Sequence, residues 1–182
     1  DDGNIRSITV IVNSANPVSM AFADEEDYGV DAVLWVGSVG QTGLYALGDV
    51  LSGAVNPSGS LPDTWWKDNQ LDPVQNNFGV YTYAGQEKYT YPANANSYNH
   101  YVVYQEGIYV GYRYYETRYN DIVYGLGNAD SKTGVFASQG NWRYNEEVVY
   151  PFGFGLSYTT FTQELVGDPV ISRAGHHFTM DF

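Results

Sequence analysis

Two short, uninterrupted apolar runs constrain this chain more than any other feature. Ile8–Val12 reads ITVIV and Ala32–Val36 reads AVLWV. Continuous runs rich in β-branched residues, with no polar alternation, mark strands buried on both faces, as in parallel sheets. The second run breaks into GSVGQTG, Gly37 to Gly43. A helical pattern follows, in which Leu44, Leu47, Val50 and Leu51 share one face. Gly53 suits the end of that helix, and NPSG at Asn56–Gly59 is a turn. Strand, glycine-containing loop and helix make half of a βαβ unit. The expected fold class is α/β, with a partial parallel sheet, long aromatic-rich loops and a short C-terminal β tail.

The rhythm is lost after Ser60. SLPDTWW predicts a short edge strand, because Pro62 disfavours a central one. LDPVQNNFG, residues 71–79, and YPANANSYNH, residues 91–100, predict loops. Tyr101 to Tyr119, YVVYQEGIYVGYRYYETRY, is β-prone by residue type but interrupted by glycines, and predicts extended segments with kinks. Gly125 to Asn145 predicts a polar loop, an insertion. From Phe161 a new β segment is expected, and the chain reads as truncated there.

Composition narrows the partners. Acidic residues outnumber basic ones 21 to 8, and the net charge of -13 argues against a nucleic-acid partner, which needs clustered Lys and Arg. No run approaches the ~18 apolar residues of a membrane span, so no membrane partner is expected. Without cysteine, disulfides and thiolate metal sites are excluded. His100, His176 and His177 form no metal pattern, and neither metal nor cofactor is expected. Cytoplasmic and secreted locations both stay open. Thirteen of the 18 tyrosines lie between Tyr81 and Tyr124. Tyrosine's flat ring and hydroxyl suit a sugar or a wet domain interface, while the plainer reading is a β-rich surface.

Site candidates follow from position and chemistry. The loop Gly37–Gly43 leaves a buried strand at the carboxyl edge, where ligands bind in open α/β sheets. It matches neither a Walker nor a dinucleotide fingerprint. Gln41 and Thr42 are its polar candidates for facing a cleft; tight strand-to-helix packing is the plainer reading. Paired carboxylates would signal glycoside hydrolysis, and the candidates are Asp63, Glu106, Glu116, Glu146 and Glu147. Arg113 is expected to pair with Glu106 or Glu116. Glu25, Glu26 and Asp27 are expected to coat a solvated surface. Trp35 lies in an apolar strand and reads as core. Trp65 and Trp66 are adjacent, so an extended segment turns at most one inward. Trp66 and, in a polar loop, Trp142 are the candidates for stacking on sugar rings.

Three stretches together resemble glycoside hydrolase family 3. Val33 to Trp65 is similar to that family's strand, loop and helix followed by an NPSG-x-LP-x-T turn. Tyr104 to Tyr119 is similar to its EG-x-x-x-GYRYY segment. Tyr150 to Phe161, YPFGFGLSYTTF, completes the order. The resemblance implies that residues 1–163 form the C-terminal part of the family's α/β sandwich domain. Residues 164–182 would then begin a fibronectin-type-III-like domain. It further implies a parent enzyme that removes β-linked glucosides or xylosides by a retaining mechanism, its nucleophile on a preceding barrel. Neither the family's nucleophile motif nor its sandwich glutamate has a match, so no catalytic residue is assigned. Gln41 stands near a position where the family usually carries an acid. Two other readings are a structural half-domain packing on the barrel and a non-catalytic carbohydrate-binding module.

Overall fold

Strands β1 (Thr9–Val12) and β2 (Ala32–Trp35) pair in parallel, with Val10 opposite Val33 and Val12 opposite Trp35. The structure is a computed structural model that describes residues 3–79, 81, 82, 84, 100–104, 106–129, 142–168, 170–175 and 177–181. Asp31 fixes the start of the pairing: its carboxylate accepts the Ile8 N–H at 2.7 Å, and its own N–H donates to the Ile8 carbonyl. The connection between the strands carries the short helix α1 (Ala21–Asp24) and a 3-10 turn over Glu26–Tyr28. Glu25, Glu26 and Asp27 are exposed, as expected of a solvated charge run. After β2 the loop 36–42 leads into helix α2 (Gly43–Leu51).

A second layer lies against this pair. Strand β3 (Trp65–Trp66) runs antiparallel to β6 (Val148–Tyr150). Met20, with no exposed surface, donates its N–H to the Trp66 carbonyl and ties the β1–β2 connection to β3. Trp35 meets Trp65 edge to face with ring centroids 5.9 Å apart. The pairing register shifts between Trp65 and Trp66, and a bulge re-aims the side chains on either side of it. Both indoles are therefore buried, Trp65 against Trp35 and Trp66 stacked on Tyr115. This corrects the expectation that only one of the two turns inward.

The tyrosine-rich stretch is helical where an extended chain was expected. Helix α4 spans Tyr112–Tyr124, and its buried residues are Tyr114, Tyr115, Arg118 and Asp121. That spacing marks one helical face, which β-propensity by residue type conceals. The helix starts at Gly111, whose φ of 57° and ψ of -133° turn the chain sharply. Asp63, from the LP-x-T turn, accepts the Tyr112 N–H at 2.6 Å and so satisfies an orphan donor of the first turn. Trp66, Tyr114, Tyr115, Ala129, Trp142 and Val148 form the core between α4 and the β3–β6 pair. Burying an aromatic such as Tyr115 contributes roughly 2–3 kcal/mol.

Residues 71–79 also depart from the expected loop. A 3-10 turn over Asn69–Leu71 precedes helix α3 (Pro73–Asn77), with Pro73 in the first turn and Asp72 accepting from the N–H groups of Val74 and Gln75. This is an N-cap with proline just inside the helix. β4 (Tyr81–Thr82) pairs with β5 (His100–Tyr101), α5 (Tyr144–Glu147) leads into β6, and the tail forms an antiparallel hairpin of β7 (Val170–Ala174) and β8 (His177–Asp181). Residues 91–99 and 130–141 of the two expected loops lie outside the described residues.

Candidate functional site

Two places combine chemistry with position. The first is the carboxyl edge of β1 and β2. There the Trp35 indole N–H donates to the Ser14 carbonyl at 2.7 Å and joins the two loops that leave the sheet. Gln41 and Thr42 are exposed in the second of these loops, immediately before α2.

The second is a buried polar centre behind α4. Asp72, Asn77, Glu106, Arg118, Asp121 and Glu147 are all buried. Glu106 accepts from the Asn77 amide at 2.6 Å. Arg118 donates to the Tyr114 hydroxyl at 2.7 Å and lies over the Trp142 ring, 5.0 Å from its centroid. A desolvated contact of that kind is worth about 2 kcal/mol. Burial by itself would raise the Asp121 pKa. Hydrogen bonds from the Ala129 N–H and from Asn128, with Arg118 adding its charge, outweigh burial and hold the carboxyl below its usual range. Burial pushes Asp72 up to about 6 and Glu147 up to about 7. Tyr114 and Tyr115 are raised far above the usual phenol range, again by burial first.

The other carboxylates singled out in the sequence hold structure together. Glu116 Oε1 accepts from the Thr64 hydroxyl at 2.9 Å, the Tyr144 hydroxyl at 2.6 Å and the Phe152 N–H. Asp63 caps α4, and Glu146 lies 3.7 Å from Arg143. Replacing Glu116→Gln is expected to lower stability by about 1 kcal/mol, read from the urea midpoint, because three donors would then meet a neutral acceptor. Arg113 is exposed and, among the described residues, forms no ion pair; Glu106 and Glu116 are taken by neutral donors. The expected Arg113 pair is thus corrected.

Trp66 and Trp142 are 8% and 7% exposed and belong to the core, so neither offers a free ring face here. Trp142 sits in a polar stretch of sequence but folds under Arg118 and Tyr114. Asp72 escaped the sequence reading, although D-P after a turn is an N-cap signal. Among the described residues no group of three His, Cys, Asp or Glu is arranged to hold a metal ion.

The motifs of the resemblance prove to touch one another. Asn56 Oδ1 accepts from the Ser157 hydroxyl at 2.9 Å and the Tyr158 N–H at 2.8 Å, while the Tyr158 hydroxyl donates to the Val50 carbonyl. Leu61 N–H donates to Phe154 O, and Gly153 N–H to Leu61 O. NPSG-x-LP and PFGFGLSY therefore form a single clamp. The family model for the glycosyl hydrolase family 3 C-terminal domain matches residues 3–112.

The chain belongs to glycosyl hydrolase family 3.

Individual relatives match beyond Tyr112. Probable beta-glucosidase H of Aspergillus flavus is 36% identical over 155 residues, 85% of this chain and 13% of the relative. Beta-D-xylosidase 1 of Arabidopsis thaliana is 28% identical over 163 residues, 90% of this chain and 15% of the relative. A solved beta-glucosidase from Paenibacillus barengoltzii aligns with a TM-score of 0.60 and 29% identity, over 94% of this chain and 14% of that one. The chain thus spans about one seventh of the length of these relatives, and its mixed helix and strand fold matches that of the solved beta-glucosidase over the aligned region.

Proposed function

We propose that the chain serves an exo-acting β-glycosidase of glucosidase or xylosidase type, as one wall of its active-site cleft, and has no hydrolytic activity alone. The similarity to beta-glucosidases and a beta-xylosidase over only 12–15% of their length carries this reading. The carboxylates support it from the other side. Glu106, Glu116 and Asp63 are bound to the fold, and Asp72 and Glu147 are buried, so none of these five is presented as an acid and nucleophile pair across a cleft. Gln41 and Thr42, at the carboxyl edge of β1 and β2, are the proposed contacts to a β-linked sugar.

The exposed side chains around the parallel pair support a neighbouring domain. Ile11, Leu44, Tyr45 and Leu51, on β1 and α2, are exposed apolar residues around the parallel pair. Exposed apolar groups in such number mark contact surfaces. A barrel domain supplying the nucleophile is the proposed partner, residues 1–163 the sandwich portion, and residues 164–182 the start of a following β domain.

Two assays on aryl β-glucosides and β-xylosides test this. The chain alone is expected to show no turnover above buffer. A chimera in which it replaces the matching region of the Aspergillus flavus protein is expected to hydrolyse one of the two substrates. Turnover by the chain alone would refute the division of labour. A folded chimera inactive on both would refute the glycosidase assignment.

A further inference from the structure

Between the clamp and the C-terminal hairpin the chain crosses solvent. Residues 160–168 form no helix or strand, each of them is exposed, and among the described residues none of them makes a hydrogen bond. The chain is tied on both sides of this connector. Ser157 and Tyr158 are bound to Asn56 and Val50, and β7 pairs with β8 from Val170 opposite Asp181 to Ala174 opposite His177.

Large apolar side chains stand on the connector: Phe161 is 76% exposed, Leu165 70% and Val166 98%. An endopeptidase binds its substrate as an extended strand, through backbone N–H and C=O groups, and takes a side chain into a pocket. A helix or a paired strand has those backbone groups occupied and must open first. Side-chain exposure alone therefore does not decide where such an enzyme cuts. Tyr45, 78% exposed, is as open as Phe161, but it lies inside α2 with its N–H held by the Thr42 carbonyl. Tyr119 is likewise exposed inside α4. Phe161 and Leu165 combine an open side chain with an open backbone.

We infer that residues 160–168 are a processing site, cut after Phe161 or Leu165 by an endopeptidase whose pocket takes an aromatic or leucine side chain. The cut severs the β7–β8 hairpin from a body that stays folded. Water is the co-reactant. The peptide C–N bond breaks, the carbonyl carbon gains the hydroxyl and the nitrogen gains the proton, which leaves a new carboxylate and a new amine. The clamp on Asn56 and the core residues Trp66, Tyr114, Tyr115 and Trp142 all precede the cut in sequence. This goes beyond the glycosidase reading and does not depend on it.

Chymotrypsin acting on the intact chain tests the inference, with a synthetic peptide of residues 157–170 as the unfolded reference. Initial rates after Phe161 and Leu165, read by mass spectrometry, are expected within about tenfold of the peptide's, because no opening step precedes the cut. Cleavage after Tyr45 and Tyr119 is expected to be at least about tenfold slower, because each helix must open locally. The cut chain is expected to keep the urea midpoint and the near-ultraviolet circular dichroism of the uncut one. The double variant Phe161→Gly/Leu165→Gly is expected to resist cutting at these two bonds with no shift in midpoint. A connector rate about a hundredfold or more below the peptide's would overturn the inference, since it would mean that the segment is protected by the fold. So would cleavage after Tyr45 that keeps pace with it, or a cut chain that loses its midpoint.

Discussion

Gly155→Ala is expected to destabilise the chain by about 3 kcal/mol, the upper range for forcing atoms into a packed site. A β-carbon on Gly155 would stand 2.5 Å from the Gly59 carbonyl oxygen, with the Ser60 backbone at 3.2 Å. Backbone cannot swing aside as a side chain can. The two segments are also tied beside the contact, by Leu61 N–H to Phe154 O at 2.8 Å and Gly153 N–H to Leu61 O at 2.9 Å. Separating them breaks the clamp that joins the NPSG turn to PFGFGLSY. Gly59→Ala is the matched control. It has open space around the new carbon and no left-handed backbone, so its expected effect is within about 0.5 kcal/mol. Urea midpoints for the two variants that agree within error would disprove the close-approach argument.

Gly111→Ala is expected to cost a similar amount for a different reason. Its backbone lies at φ 57° and ψ -133°, where an L side chain adds about 1–3 kcal/mol of strain. A β-carbon would also meet Asp63 Oδ1 at 2.7 Å. That oxygen accepts the N–H groups of Tyr112 and Thr64, so moving it strips the cap from α4 for about a further 1 kcal/mol. Gly107→Ala separates the two contributions, because Gly107 has a φ of 60° with nothing near the new carbon. It is expected to show the strain alone. Equal urea midpoints and equal ellipticity at 222 nm for the two variants would mean that the Asp63 contact carries no weight.

Legibility in the sequence followed the range of the interactions. β1, β2 and α2 were readable because each is specified by a local apolar pattern, ITVIV, AVLWV and the Leu44, Leu47, Val50 spacing. Helix α4 was not, because five tyrosines, with Thr117, Ile122 and Val123, favour strands by type within Tyr112–Tyr124. What decides in favour of the helix is a cap 49 residues away in sequence, on Asp63. The polar centre was hidden for the same reason. Asp72, Glu106, Arg118, Trp142 and Glu147 meet only after α3, α4 and β6 pack. Trp142 illustrates the cost of judging a residue by its neighbours in sequence: the stretch around it is polar, but its ring lies under a buried arginine. The family resemblance worked where local patterns did not, since NPSG and PFGFGLSY are in hydrogen-bonded contact.

That contact sets an order of events at the ribosome. The hydrogen bonds from Ser157 and Tyr158 to Asn56 span 101 and 102 residues of chain. At about 5–20 residues per second, the turn at Asn56 waits roughly 5–20 s after its own synthesis for the partner that locks it. Throughout that interval the Val50 carbonyl near the end of α2 lacks the Tyr158 hydroxyl that binds it in the finished fold. A pause in translation before Ser157 therefore prolongs the time for which the NPSG turn and the end of α2 go without these long-range hydrogen bonds.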